Sequence, residues 1–167
     1  MIRVLLADDQ ALVLGALAAV LRLEPDIDVV AEVGTGTEVL AAAQRTVPDI
    51  ALLDVQMPGR GGLTVAADLQ RALPGCRTII CTTFSRPGYL SRAMVAPAAG
   101  YVVKDSPPEQ LFDEIRRVHA GLRFVHPALA AEALAGGASP LTGREADMLR
   151  AVKQLNNGLK AAGYPTV

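Results

Sequence analysis

The sequence predicts a doubly wound α/β domain over residues 1–120, on three observations. Short runs rich in Val, Ile and Leu recur along this stretch, helix-forming segments separate them, and Gly, Pro and Asp punctuate the joins. Five strands alternating with five helices give a parallel sheet covered on both faces.

Each element has its own signal. Residues 2–7 are mostly leucine or β-branched with little alternation, as a central parallel strand should be, and they end at Asp8-Asp9. Residues 11–23 supply strong helix formers, closed by Glu24-Pro25-Asp26. Residues 28–33 give a second strand, ended by Gly34-Thr35-Gly36, and 38–46 a short helix stopped near Pro48. The third strand, 49–53, delivers Asp54 at its carboxyl end, just before the Pro58-Gly59 turn. Gly61-Gly62 opens a helix over 63–73, ended by Pro74-Gly75, and residues 77–82 form a fourth strand finishing on the hydroxyls of Thr82 and Thr83. Pro87 fits the first turn of a helix running to about Val95, with Pro97 forcing a stop. A fifth strand, Tyr101-Val102-Val103, ends at Lys104. Ser106 is the expected cap of a last helix opened by Pro107-Pro108-Glu109 and running to about Ala120.

After Gly121 the texture changes. Residues 128–135 are alanine-rich and helical in pattern, Gly136-Gly137-Ala138-Ser139-Pro140 reads as a linker, and 141–152 as a final helical segment. The expected division is therefore 1–120, a linker with a short helix over 121–140, and 141–167.

Composition bounds the function. With 51% hydrophobic and 20% charged residues the chain has material for a real core. A net charge of −1 gives no whole-chain attraction to nucleic acid or anionic membrane. No run approaches the ~20 apolar residues of a bilayer span, and Asp8-Asp9 come too soon for a secretory signal, so the expected location is cytoplasmic. Cys76 and Cys81, if on one extended strand, stand roughly 16 Å apart at ~3.3 Å per residue and cannot bridge each other. His119 and His126 fall away from the strand ends and are read as surface or packing residues.

Set side by side, the strand tips bring Asp8, Asp9, Asp54, Thr82 and Lys104 to one rim, where ligands bind in doubly wound folds. Aspartates at strand ends are common turn residues, and each of these side chains alone has an ordinary structural reading. Their convergence is what points to chemistry. Three carboxylates packed together ask for a hard divalent cation, Mg²⁺ where a phosphoryl group shares the coordination shell. A lysine and a hydroxyl opposite them can hold phosphoryl oxygens as these become charged. The implied reaction is attack of a carboxylate on phosphorus, giving an aspartyl phosphate.

Through Asp8-Asp9, Leu53-Asp54-Val55-Gln56-Met57-Pro58, Thr82-Thr83 and Tyr101-Val102-Val103-Lys104, residues 2 to about 120 resemble a CheY-like receiver domain of a two-component response regulator. The resemblance implies the strand order 2-1-3-4-5. It makes Asp54 the phosphoacceptor, Asp9 a direct Mg²⁺ ligand, Asp8 a ligand through water, and the Gln56 backbone carbonyl a further ligand. Lys104 and Thr82 would contact the phosphoryl group, and Tyr101 would be the aromatic that swings inward. Gln56 and Phe84, each two residues past a key position, can flank the acyl phosphate and tune its lifetime. Neither is an acid or base, so slow self-dephosphorylation is expected. Partners implied are a sensor histidine kinase or a small phosphodonor.

Two other classes fare worse. A haloacid-dehalogenase-type phosphatase carries a second aspartate two residues after its nucleophile, where this chain has Gln56, so a turnover enzyme is disfavoured. A flavodoxin-like cofactor binder would need hydroxyl- and glycine-rich phosphate loops rather than a carboxylate cluster.

Residues 139–149, Ser-Pro-Leu-Thr-Gly-Arg-Glu-Ala-Asp-Met-Leu, resemble the opening of a NarL/LuxR-type helix-turn-helix. After Val152 only 15 residues follow, whereas turn and recognition helix need roughly 30 more. Residues 139–167 also carry a surplus of only two positive charges. No complete DNA-binding set is expected here, and DNA is a partner only of a complete form. The reading is a phosphorylatable receiver controlling transcription; the alternative is a stand-alone receiver acting by protein contact or phosphate relay. The first helix carries no charge from Ala11 to Leu21, and the fifth offers an apolar strip of Leu111, Ile115, Val118 and Leu122. Phosphorylation-enhanced homodimerisation through these two helices is the expected assembly.

Overall fold

The computed structural model describes residues 1–83 and 97–135, together with 151, 152, 154, 157, 158 and 161–163 of the C-terminal segment. The helix expected over 87–95, the linker 136–140 and most of the helical segment from 141 onward lie outside the described residues.

Among the described residues the chain runs β1 (Ile2–Ala7), α1 (Ala11–Leu21), β2 (Ile27–Val33), α2 (Gly36–Thr46), β3 (Ile50–Asp54), α3 (Gly62–Ala72), β4 (Arg77–Thr82), β5 (Gly100–Val103), α4 (Pro108–His119), β6 (Phe124–Val125) and α5 (Pro127–Ala135). All strand pairs are parallel, in the order β2-β1-β3-β4-β5-β6. The doubly wound expectation holds, with one correction: the sheet has six strands, not five. Phe124 and Val125 pair with Gly100 and Tyr101, so residues assigned to the linker extend the sheet instead.

The central strands are apolar because both of their faces are covered. Every residue of β3 is buried. Successive side chains alternate between two cores. Leu5, Ala51, Leu53 and Ile80 join residues of α2 and α3 on one face, while Val4, Leu6, Leu52 and Ile79 join α1 and α4 on the other. The α5 residues Leu129 and Ala130, and Val152 from the C-terminal segment, belong to the first core beside Tyr101 and Val125. Val152, the last residue of the helical segment expected over 141–152, is thus packed on the receiver.

Two further expectations are corrected. Ser106 does not cap α4: the cap position is Pro107, and the Ser106 hydroxyl is buried without a hydrogen-bond partner. The tandem prolines start the helix one residue later than a Ser106 cap requires. The strip Leu111, Ile115 and Val118 is not a free surface. All three are buried against the sheet, and only Leu122, past the helix end, is exposed. An amphipathic helix beside a sheet turns its apolar stripe inward. Arg116, on the outer side of α4, forms a two-pronged pair with Asp26 and a further pair with Glu24, tying α4 to the turn before β2.

Candidate functional site

Parallel pairing sets the rim. Val55, directly after β3, donates its amide to the Cys81 carbonyl, and Lys104, directly after β5, donates its amide to the Thr82 carbonyl. The tips of β3, β4 and β5 are therefore laced together. On the other side Asp8 donates its amide to Val33 at the end of β2. The residues that follow each strand cannot drift apart without breaking this lacing.

The structure brings together most of the predicted rim residues. One carboxylate oxygen from each of Asp8, Asp9 and Asp54 lies within 4.8 Å of the others. Asp8 and Asp54 are buried and Asp9 is exposed, so the cluster opens to solvent on the Asp9 side. Lys104 reaches in from β5, with Nζ 2.7 Å from Asp8 Oδ2 and 3.3 Å from Asp54 Oδ1. The other Asp8 oxygen accepts the Gln10 amide at 2.9 Å, which fixes that carboxylate at the start of α1.

Electrostatics follow from the same contacts. Burial raises the Asp54 carboxyl above its ordinary value; the Lys104 charge opposes this and the Asp8 charge adds to it. Burial pulls Lys104 down, but the Asp8 hydrogen bond and the Asp54 charge outweigh it, so its ammonium is held above the usual lysine range. Formally, three carboxylates face one ammonium, a surplus of two negative charges on oxygen donors alone. That donor set fits a hard divalent cation such as Mg²⁺ and is poorly matched to soft metals.

The remaining predicted residues are placed as follows. Thr82 is buried, one residue past the Asp54 partner Cys81, and its hydroxyl donates to the Thr83 carbonyl at 3.1 Å. Tyr101 is 2% exposed, inside the core, and its carbonyl accepts the His126 amide. Burial drives its phenol well above the ordinary range. Gln56 is exposed in the β3–α3 connection, and Phe84 lies outside the described residues. Cys76 and Cys81 are free and buried, and burial pushes Cys76 up to about 11. No helix of the described residues is long and apolar enough to cross a membrane.

Sequence reasoning missed Glu114. It is 1% exposed, neither carboxylate oxygen has a hydrogen-bond partner, and burial lifts its carboxyl to about 9. The signal was available: Glu114 stands three residues after Leu111 and four before Val118, on the buried side of the helix.

A parallel sheet in this order, with a carboxylate trio and a lysine at the tips of β1, β3 and β5, defines a receiver-type α/β domain. Comparison with known proteins agrees. Residues 4–116 match the response regulator receiver domain family. The chain is 43% identical over 157 residues to the transcriptional regulatory protein DesR of Bacillus subtilis (strain 168), covering 94% of this chain and 77% of DesR. Among solved structures, a LuxR-family two-component response regulator from an Aurantimonas species superposes with a TM-score of 0.74 at 29% identity, over 82% of this chain and 98% of that one. The response regulator ChrA, from a heme-sensing two-component system, gives 0.72 at 32% identity, over 96% of this chain and 80% of that one. The chain belongs to the response regulator receiver domain family.

Proposed function

We propose that this chain is the phosphorylation switch of a transcriptional response regulator, with Asp54 as phosphoacceptor. The observation that carries this reading is the Asp54 carboxylate at the β3 tip, 3.3 Å from Lys104 and grouped with Asp8 and Asp9. An Asp54 oxygen attacks phosphorus, the bond from phosphorus to the donor's leaving group breaks, and an acyl phosphate remains. Lys104, released from its pairing with the Asp54 carboxylate, pairs with a phosphoryl oxygen, and the Thr82 hydroxyl turns to hydrogen-bond another. Asp9, Asp54 and the Gln56 carbonyl would hold Mg²⁺, with Asp8 acting through water. Bound there, the ion supplies charge neutralisation on the phosphoryl oxygens.

Incubation of the 167-residue chain with Mg²⁺ and a small phosphodonor, followed by intact mass measurement, tests the assignment. One phosphoryl adduct is expected, absent in Asp54→Asn. An adduct on Asp54→Asn at the wild-type rate would overturn it. Gln56 and Phe84 are proposed to set the adduct's lifetime; Gln56→Ala and Phe84→Ala both leaving its decay unchanged would remove them from that role.

The kinase partner and control of transcription are proposed from the family and from the names of its relatives, as is residues 141–167 being the opening of an output module. For assembly, α1 remains the proposed face. Leu12 is 89% exposed on a helix without charge, beside an apolar groove of ≈290 Å³ lined by Val13, Leu17, Val20, Leu111 and Phe112. Leu12→Glu should lower the sedimentation coefficient of the phosphorylated protein; an unchanged coefficient counts against this face.

A further inference from the structure

The connection between β3 and α3 carries Gln56, and three glycines decide where it sits. Gly36, the first residue of α2, donates its amide to the Pro58 carbonyl at 3.2 Å. A Cβ on Gly36 would stand 1.7 Å from the Arg60 carbonyl oxygen, a backbone atom with no side-chain freedom to move aside. Gly62 presses in the same way on the other end: its Cβ would lie 2.1 Å from the Asp54 carbonyl oxygen, while its amide donates to Val55. Neither residue has a left-handed φ, so conformational freedom does not explain glycine there; close approach does. Gly59 does have a left-handed φ, +80°, and its Cβ would meet the Thr37 side chain at 2.6 Å. Gly15, Gly34 and Gly75, by contrast, face open space.

The start of α2 is thus a post against which the connection is seated. The same stretch of chain holds the other side of the acidic cluster, because the Val33 carbonyl accepts the Asp8 amide. Residues 33–36 brace both Asp8 and the segment that carries Gln56, without offering a side chain to the site.

We infer that Gly36 and Gly62 are positioning residues for the divalent-cation site, holding the Gln56 carbonyl and the Asp54 main chain at the spacing that the cation needs. This deepens the reading of the site proposed above and rests on it. A Cβ at Gly36 has to push the connection outward, so the ligand geometry loosens while β1, β3 and β4 keep their pairing.

The test is titration calorimetry of Mg²⁺ into the full chain, with circular dichroism to check the fold. Loss of a group that orients a metal ligand costs about 10- to 100-fold in affinity, and Gly36→Ala is expected in the lower part of that range. Gly15→Ala, the same change in open space, should bind as wild type. Gly36→Ala with wild-type affinity and intact fold overturns the inference. Should Gly36→Ala not fold, Gly59→Ala strains the same connection from within, through its left-handed φ of +80°: weakened Mg²⁺ binding supports the inference and unchanged binding overturns it. Failure of the wild type itself to bind Mg²⁺ overturns the site reading and this inference with it, whereas a wild type that binds and a Gly36→Ala that binds equally overturn the inference alone.

Discussion

Asp54 and Glu114 are both buried carboxyls, and they meet opposite fates. Asp54 sits 3.3 Å from an ammonium in a cluster that opens to solvent through Asp9. Glu114, inside α4, has no hydrogen-bond partner for either oxygen, and burial outweighs the Arg117 charge and pushes its carboxyl up to about 9, so it is a neutral acid at pH 7. Burial acts in the same direction on both. The difference is an ammonium in ion-pair contact, together with an opening through which a cation and a phosphoryl donor can arrive. A strongly shifted carboxyl is thus no marker of a reactive site when it is closed off from solvent.

The largest effect that could break the contrast is chemical. Glu114→Gln should accept a phosphoryl group as wild type does, whereas Asp54→Asn should accept none; intact mass decides both. If Glu114→Gln loses the adduct, the two regions are not independent. Next in size, Lys104→Met removes the cation facing Asp8 and Asp54. The rate of phosphorylation should fall about 10²-fold, the usual loss for one preorganised charge-stabilising group. Mg²⁺ binding should persist, and calorimetry would show it.

A smaller effect concerns stability. Glu114→Leu exchanges a buried carboxyl without a hydrogen bond for an apolar side chain and should stabilise the fold by about 1–3 kcal/mol, read from urea unfolding. Its pH dependence sharpens the point. Below pH 4.5 the carboxyl is protonated in folded and unfolded chains alike. Between 4.5 and about 9 the unfolded chain gains the favourable ionised form and the folded chain does not, so stability falls as pH rises; above about 9 both are ionised. The advantage of Glu114→Leu over wild type should therefore widen from pH 5 to pH 8. A constant difference would mean that Glu114 ionises normally in the fold.

The rim was legible because parallel strands end on one side, so apolar runs followed by Asp8, Asp54, Thr82 and Lys104 locate it without coordinates. What stayed hidden depends on distant partners. Phe124-Val125 is too short for any periodicity and becomes a strand only because β5 offers it an edge. The 111/115/118 spacing tells which side chains share a face of α4, but the direction of that face is set by the sheet beneath it. Gly36 reads as an ordinary loop glycine until the Arg60 carbonyl, 24 residues later, is seen against it.

The sixth strand also changes what the domain presents to other chains. Without it, Gly100–Val103 would offer an uncovered row of backbone donors and acceptors on four buried, mostly apolar residues, the kind of template that draws unrelated strands into pairing. Phe124 and Val125 pair with the first half of that row, Gly100 and Tyr101, and shorten the stretch left without a strand partner. A chain cut before Phe124 keeps the whole acidic rim, yet it trades solubility for stickiness, and its light scattering on concentration should rise well before any loss of Mg²⁺ binding.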